Sequence, residues 1–211
     1  EDVDFYNYYL ENYPREWIDF FQNVNTEILE ISKVLDREKV YYPEKQDIFR
    51  VFYKCPPKNI KVVILGQDPY HNGVANGLAF SVNGGKINPS LKNIFKEISN
   101  CGYKINDKNG DLSYLVSQGV LLLNTALTVK EHSPESHLKI WKDFTRKLLE
   151  YIVNMDDKII FVLWGEKSKF YKKYLKNPTI ETTHPSPFSA HKGFLGSNCF
   201  NKVNEILKSF G

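Results

Sequence analysis

The chain has 211 residues, of which 42% are hydrophobic and 25% charged, and a formal net charge of +3. That length is one domain's worth and can bury a proper core, and the composition excludes a disordered, collagen-like or disulfide-stapled chain. No apolar run approaches the roughly 18 residues of a membrane-spanning helix, and so small a basic excess is weak grounds for a nucleic-acid partner.

The acidic start, Glu1-Asp2-Val3-Asp4, carries no basic-then-apolar leader, and a start without Met reads as a processed chain. Further along, Trp17, Phe20, Phe21, Val24, Ile28 and Ile31 recur at three- and four-residue steps, so they predict one helical face, with Pro14 near its start. Four short apolar runs then read as strands: Ile60–Leu65, Val120–Leu123, Ile159–Trp164 and, more weakly, Thr179–Thr183. Three of them do not alternate, the pattern of a parallel sheet covered on both faces. Helical spacings separate them: Leu91, Ile94, Phe95, Ile98, and then Leu138, Trp141, Phe144, Leu148, Ile152. Phe200, Val203, Ile206, Leu207 and Phe210 close the chain with a third. Alternating strands and helices predict a single α/β domain over residues 1–211, a three-layer α/β/α sandwich around a four-stranded, mostly parallel sheet. Cys55, Cys101 and Cys199 are odd in number and widely spaced. They fit neither a disulfide framework nor a zinc site nor an iron–sulfur cluster, and they suggest a reducing compartment.

Sheets of this kind place ligands beyond the carboxyl ends of their strands. The segments just past the four strands are polar: Gly66-Gln67-Asp68-Pro69-Tyr70-His71, then Asn124-Thr125, then Gly165-Glu166, then His184-Pro185-Ser186-Pro187-Phe188-Ser189. Each segment alone reads as an ordinary turn. Together they gather potentially catalytic groups at one edge of the sheet from four parts of the chain.

The segment from Val63 to His71 resembles the water-activating motif of uracil-DNA glycosylases. Gly77–Val82 resembles their uracil-stacking strand, Leu121–Asn124 their uracil-reading motif, and His184–Phe194 their DNA-intercalation loop. The motifs stand in the family's order. The resemblance implies an enzyme that hydrolyses the N-glycosidic bond of uracil in DNA, releases uracil and leaves an abasic site. Asp68 would hold the attacking water, offset positive charge on the sugar, or both. His184 would donate a hydrogen bond to uracil O2. Asn124 would read the base, Tyr70 would exclude the thymine methyl, Phe80 would stack, and the Gln67 segment would assist from its backbone. His71 would touch the same water or a phosphate. Ser90, read as a helix N-cap, would grip DNA with Ser186, Ser189, His191 and Lys192, while Phe188 fills the space left by the flipped base. Read without the resemblance, Asn124 is a strand-end turn, Phe80 is core, and Lys192 is a solvated surface lysine.

The resemblance further implies no metal and no cofactor, a DNA partner that is single- or double-stranded, no membrane, and a monomer. The compartment expected is the nucleus or mitochondrion of a eukaryote or the cytoplasm of a bacterium. Three departures stand out. Phe188 replaces the family's usual Leu, Glu166 replaces Ser, and the loop from Tyr70 to Phe80 is one residue short with Asn76 where His is common. Two other functions compete: a noncatalytic DNA-binding protein on the same fold, against which Asp68 and His184 are both present, and a thymine-accepting glycosylase, against which Tyr70 stands.

Overall fold

The computed structural model describes residues 3–84 and 86–211, so Glu1 and Asp2 of the acidic start lie outside the described residues. The chain opens with α1 (Asp4–Asn12), a short 3-10 turn over Arg15–Trp17, α2 (Ile18–Phe21) and α3 (Asn25–Arg37). The single helical face expected from Trp17 to Ile31 is therefore three separate segments, preceded by a helix the apolar spacing did not reveal. Trp17, Phe20, Phe21, Val24, Ile28 and Ile31 are nonetheless all buried. Burial kept their spacing while the backbone broke between Gln22 and Val24.

A short strand, β1 (Tyr41–Tyr42), and α4 (Arg50–Lys54) lead into β2 (Val62–Gly66). After β2 come α5 (Pro89–Asn100), α6 (Ser113–Val116), β3 (Val120–Asn124), β4 (Val129–Lys130) and α7 (Lys142–Met155). The chain ends with β5 (Ile160–Trp164), α8 (Glu166–Lys169), β6 (Thr179–Thr182) and α9 (Cys199–Ser209). The four expected strands form one sheet in the order β3-β2-β5-β6. All three pairings are parallel. Every residue of β2 and β5 is buried. Successive side chains point to opposite faces, so full burial means that both faces are covered. β1 and β4 add a two-stranded antiparallel pair that the sequence did not announce.

Two aromatic clusters support the sheet. Phe49 stacks on Phe144 with ring centroids 5.8 Å apart, amid Trp17, Phe21 and Phe52. Trp164, at the end of β5, packs edge-on against Phe194 and Phe80 at 5.1 and 5.4 Å. The second cluster places Phe80 behind the carboxyl edge of the sheet. Register does the rest: Gly66 pairs with Asn124 and Leu65 with Leu163, so the ends of β2, β3 and β5 lie level.

Candidate active site

At that edge lies a cavity of about 170 Å³ lined by Gln67, Asp68, Tyr70, Phe80, Ser90, Asn124 and His184, among others. Pockets that enclose whole drug-sized ligands run to roughly 300–1,000 Å³, so this one suits a single ring. Asp68, Asn124 and His184 arrive from the ends of β2, β3 and β6, which the parallel register brings side by side.

Asp68 is held at both oxygens. The Gln67 side chain donates Nε2–H to Oδ1 at 3.0 Å, and the Glu135 N–H donates to Oδ2 at 2.7 Å. Burial raises the Asp68 pKa above the ordinary carboxylate value, while the two donated hydrogen bonds and nearby His71 pull it back.

His184 is fixed differently. The Ser186 N–H donates to its Nδ1 at 2.9 Å. An accepting Nδ1 in a neutral imidazole leaves the proton on Nε2. Burial lowers the His184 pKa, which favours that neutral form. The ring is thus a neutral Nε2–H donor beside the cavity.

Phe80 is 8% exposed and stands at φ +67°, in the left-handed region that a bulky residue rarely adopts. The Tyr70 hydroxyl donates to the Phe80 carbonyl at 3.0 Å, and the Phe80 ring lies 5.7 Å from that of His184. Tyr70 therefore serves both as cavity wall and as anchor of the strained residue. Asn124 is 7% exposed, as the last residue of β3 rather than in a turn after it.

The short loop between Tyr70 and Phe80 is well tied. Ala75 bridges Val82, and buried Asn76 donates to Ser81 Oγ and Asn83 Oδ1 while its own Oδ1 accepts the Leu78 N–H. Gly77 has φ +89° and sits against the Asp47 carbonyl, where a Cβ has no room.

The residues expected to contact DNA sort less evenly. Ser90 lines the cavity but is not the N-cap of α5: Asn88 occupies that position and Pro89 is the first helical residue. Pro89 has its fixed φ suited to the first turn, which moves the start of the helix two residues earlier. Phe188 is 86% exposed. The loop beneath it is tied by hydrogen bonds: Ser189 Oγ donates to the His184 carbonyl, Thr183 Oγ1 to the Ser189 carbonyl, and Asn93 Nδ2 to the Pro185 carbonyl. Ser186 and Ser189 share a hydroxyl contact at 3.2 Å. His191 and Lys192 are exposed on the adjoining 3-10 turn. Glu166 is not among the residues lining the cavity, and its side chain is 90% exposed and 3.6 Å from Lys169. His71 is half-buried, and its Nδ1 has no protein hydrogen bond among the described residues. Among the described residues no group of three or more His, Cys, Asp or Glu is arranged to hold a metal ion.

Four contributors carry no signal of their own in the sequence. The Glu135 N–H is a backbone donor that any residue type could supply. Thr125 Oγ1 donates to the Gln67 carbonyl at 2.7 Å and the Ala126 N–H to the same oxygen at 3.1 Å. That carbonyl is therefore committed to the fold. Gly66 stands in the sequence only as part of a motif, yet a Cβ there would stand 2.6 Å from Asn124 Oδ1.

A ring-sized pocket with acid–base groups at the carboxyl edge of a parallel sheet is the arrangement of an α/β enzyme with a small substrate group. Compared with known proteins, residues 52–208 match the Uracil DNA glycosylase superfamily, and the chain belongs to it. It is 48% identical over 178 residues to the uracil-DNA glycosylase of Borrelia turicatae, covering 82% of this chain and 79% of that one. It is 44% identical over 182 residues to that of Alkaliphilus metalliredigens, covering 83% and 80%. The crystal structure of mimivirus uracil-DNA glycosylase superposes with a TM-score of 0.87 at 30% identity, over 93% of this chain and 84% of that one.

Proposed function

We propose that this chain excises uracil from DNA by hydrolysing its N-glycosidic bond, the opening step of base-excision repair, and that the seven cavity residues and the His184–Lys192 loop carry the roles their motifs imply. The observation that supports this best is how His184 is held: its Nδ1 accepts the Ser186 N–H, which directs the ring proton to Nε2 beside the same small cavity that Asp68 and Asn124 line.

The base must first leave the stack, as in glycosylases generally, at a cost of a few kcal/mol. Phe188, exposed on a hydrogen-bonded loop, is suited to fill the space it leaves. In the cavity, Phe80 stacks on the ring. Asn124 donates to uracil O4 and accepts from N3–H, and cytosine reverses both groups. Tyr70 closes the C5 side, where thymine carries its methyl.

The bond between the sugar C1′ and uracil N1 then breaks, and its electron pair leaves with the base, spread over O2 and O4. His184 Nε2–H hydrogen-bonds O2 as that charge grows, so the leaving group needs no full proton from the enzyme. Asp68 faces the cationic sugar and takes the proton of the attacking water as its oxygen bonds to C1′. That proton finally neutralises the uracil anion. One carboxylate thus suffices where sugar glycosidases usually employ two. Ser90, Ser186, Ser189, His191 and Lys192 contact phosphates or the groove, and His71 contacts the water or a phosphate. The substrate is single- or double-stranded DNA, and the chain acts as a monomer without metal or cofactor.

The Asn124→Asp variant tests the reading role. Its release of cytosine relative to uracil from matched oligonucleotides should rise at least about tenfold, the worth of one misplaced hydrogen bond. Unchanged selectivity would move base reading to another residue.

A further inference from the structure

Three of the four non-glycine residues with positive φ in the described chain are Phe80, His132 and Glu135, at +67°, +58° and +67°. Phe80 has its role in the cavity. The other two lie on a loop that contributes no side chain to the cavity lining. Yet their backbone N–H groups touch the catalytic segment: Glu135 donates to Asp68 Oδ2 at 2.7 Å, and His132 donates to the His71 carbonyl at 3.1 Å. Strained conformations persist only where the surroundings impose them, so something must hold this loop in place.

The holding group is His137, 1% exposed. Its Nε2 lies 2.9 Å from Glu38 Oε1, and its Nδ1 lies 2.9 Å from Thr128 Oγ1. Thr128 Oγ1 also accepts the Trp141 Nε1–H at 2.7 Å. With the His137 proton on Nε2, each group in this chain finds a partner: Trp141 donates to Thr128, Thr128 to His137, and His137 to Glu38. The network closes the loop at its base, because Thr128 precedes β4 and His137 ends the loop, and it ties both to the end of α3. Further ties add to it: the Glu131 N–H donates to the Val40 carbonyl, Tyr42 Oη–H to Glu131 Oε2 at 2.7 Å, and the Lys130 N–H to Ser136 Oγ at 2.9 Å.

We infer that the loop from Glu131 to His137 is a positioning clamp for the catalytic carboxylate, and that buried His137 is the residue that locks it. His137 touches no reacting atom. It acts by keeping Glu135 in the strained conformation that aims its N–H at Asp68. The clamp fixes which oxygen of Asp68 is occupied by the protein and stabilises the ionised form that the reaction requires. This inference rests on the reading of Asp68 as the catalytic carboxylate.

Other groups also bear on Asp68 and are not altered by the test. Tyr70 and His71 stand on its own segment, and His184 lies on the same cavity. On the clamp are His132 and the Glu135 carboxylate, the latter 3.1 Å from Lys167 of α8.

The experiment is a ¹³C NMR titration of the Asp68 carboxyl carbon, assigned by its loss in Asp68→Asn, in the parent protein and in His137→Gln. It is paired with kcat and KM on a uracil oligonucleotide. The clamp predicts that the Asp68 midpoint rises by about one pH unit, the worth of one hydrogen bond to a carboxylate. It predicts that kcat falls about tenfold while KM stays within about twofold. An unmoved midpoint would overturn the inference, whatever happens to kcat. Should His137→Gln not fold, Ser136→Ala loosens the same loop from an exposed position, and the same upward shift, smaller, is required of it. The titration is read without substrate, so it judges the clamp separately. Failure of the glycosylase reading would instead appear as an Asp68→Asn protein that releases uracil normally.

Discussion

Gly66 offers the sharpest link between packing and base recognition. It is the last residue of β2, and a Cβ built on its backbone would lie 2.6 Å from Asn124 Oδ1, 3.1 Å from Phe80 Cε2 and 3.3 Å from the Ala79 Cβ. Ordinary contact begins near 3.4 Å, so in Gly66→Ala the carboxamide oxygen has to retreat by about 0.8 Å. The Phe80 ring is pressed in the same substitution. Extra volume in a tight site costs about 1–3 kcal/mol of stability, of which replacing a strand glycine returns about 0.5–1 kcal/mol. The protein should therefore still fold, with a modestly lower Tm. Function should suffer more, because a misplacement on the order of 1 Å in a catalytic site costs about 100-fold. The assay is single-turnover release of uracil from a short oligonucleotide, with cytosine release measured alongside and thermal melting as the control. Release within about twofold of the parent protein, with selectivity intact, would refute the claim that Gly66 sets the position of Asn124.

Tyr70→Ala should release thymine from an oligonucleotide that the parent protein leaves intact. Tyr70→Phe should keep thymine excluded but lower uracil turnover by several-fold, since it removes the hydrogen bond that anchors Phe80, worth about 1 kcal/mol. Asp68→Asn should lower kcat by about 100-fold or more with DNA affinity retained, as measured by single-turnover kinetics and a binding titration. The same variant should melt no lower than the parent at pH 7. Burial raises the Asp68 pKa above 3.8, so its favourable contribution to folding is complete below that value and lost as the pH rises through the folded pKa. Phe188→Ala should depress activity on duplex DNA about tenfold, with a smaller effect on single strands, where no stacked duplex must be opened.

The sheet was legible because strands covered on both faces must be apolar throughout, as Val62–Leu65 and Ile160–Trp164 are. The site was legible because a parallel sheet collects the residues just past its strands at one edge, and here Asp68, Asn124 and His184 come from three of them. The N-terminal helices were not legible in the same way. Trp17, Phe20, Phe21 and Val24 bury into one core from separate short segments, so their spacing imitates one continuous helix. The cap of α5 was misplaced because Ser90 and Asn88 are both good capping types, and Pro89 between them decides in favour of Asn88. The clamp on Asp68 was invisible for a deeper reason. It is made by a backbone N–H, and its strength comes from His137 and Thr128 together with Glu38, which lies 99 residues from His137, and all three look like core and surface. Gly66 and Asn124 pose the same difficulty at shorter range, because their contact exists only once β2 and β3 are in register.

Removal of uracil, and of uracil alone, from DNA is the activity that this site must deliver. The most direct measurement incubates the purified protein with three oligonucleotides that differ at one position, bearing uracil, thymine or cytosine, and then applies hot alkali to cleave abasic sites. Strand cleavage should occur at uracil only, with free uracil recovered in equal amount. Bound but uncleaved uracil DNA would contradict it and favour a noncatalytic DNA-binding protein on this fold, while cleavage at thymine as well would contradict the role given to Tyr70.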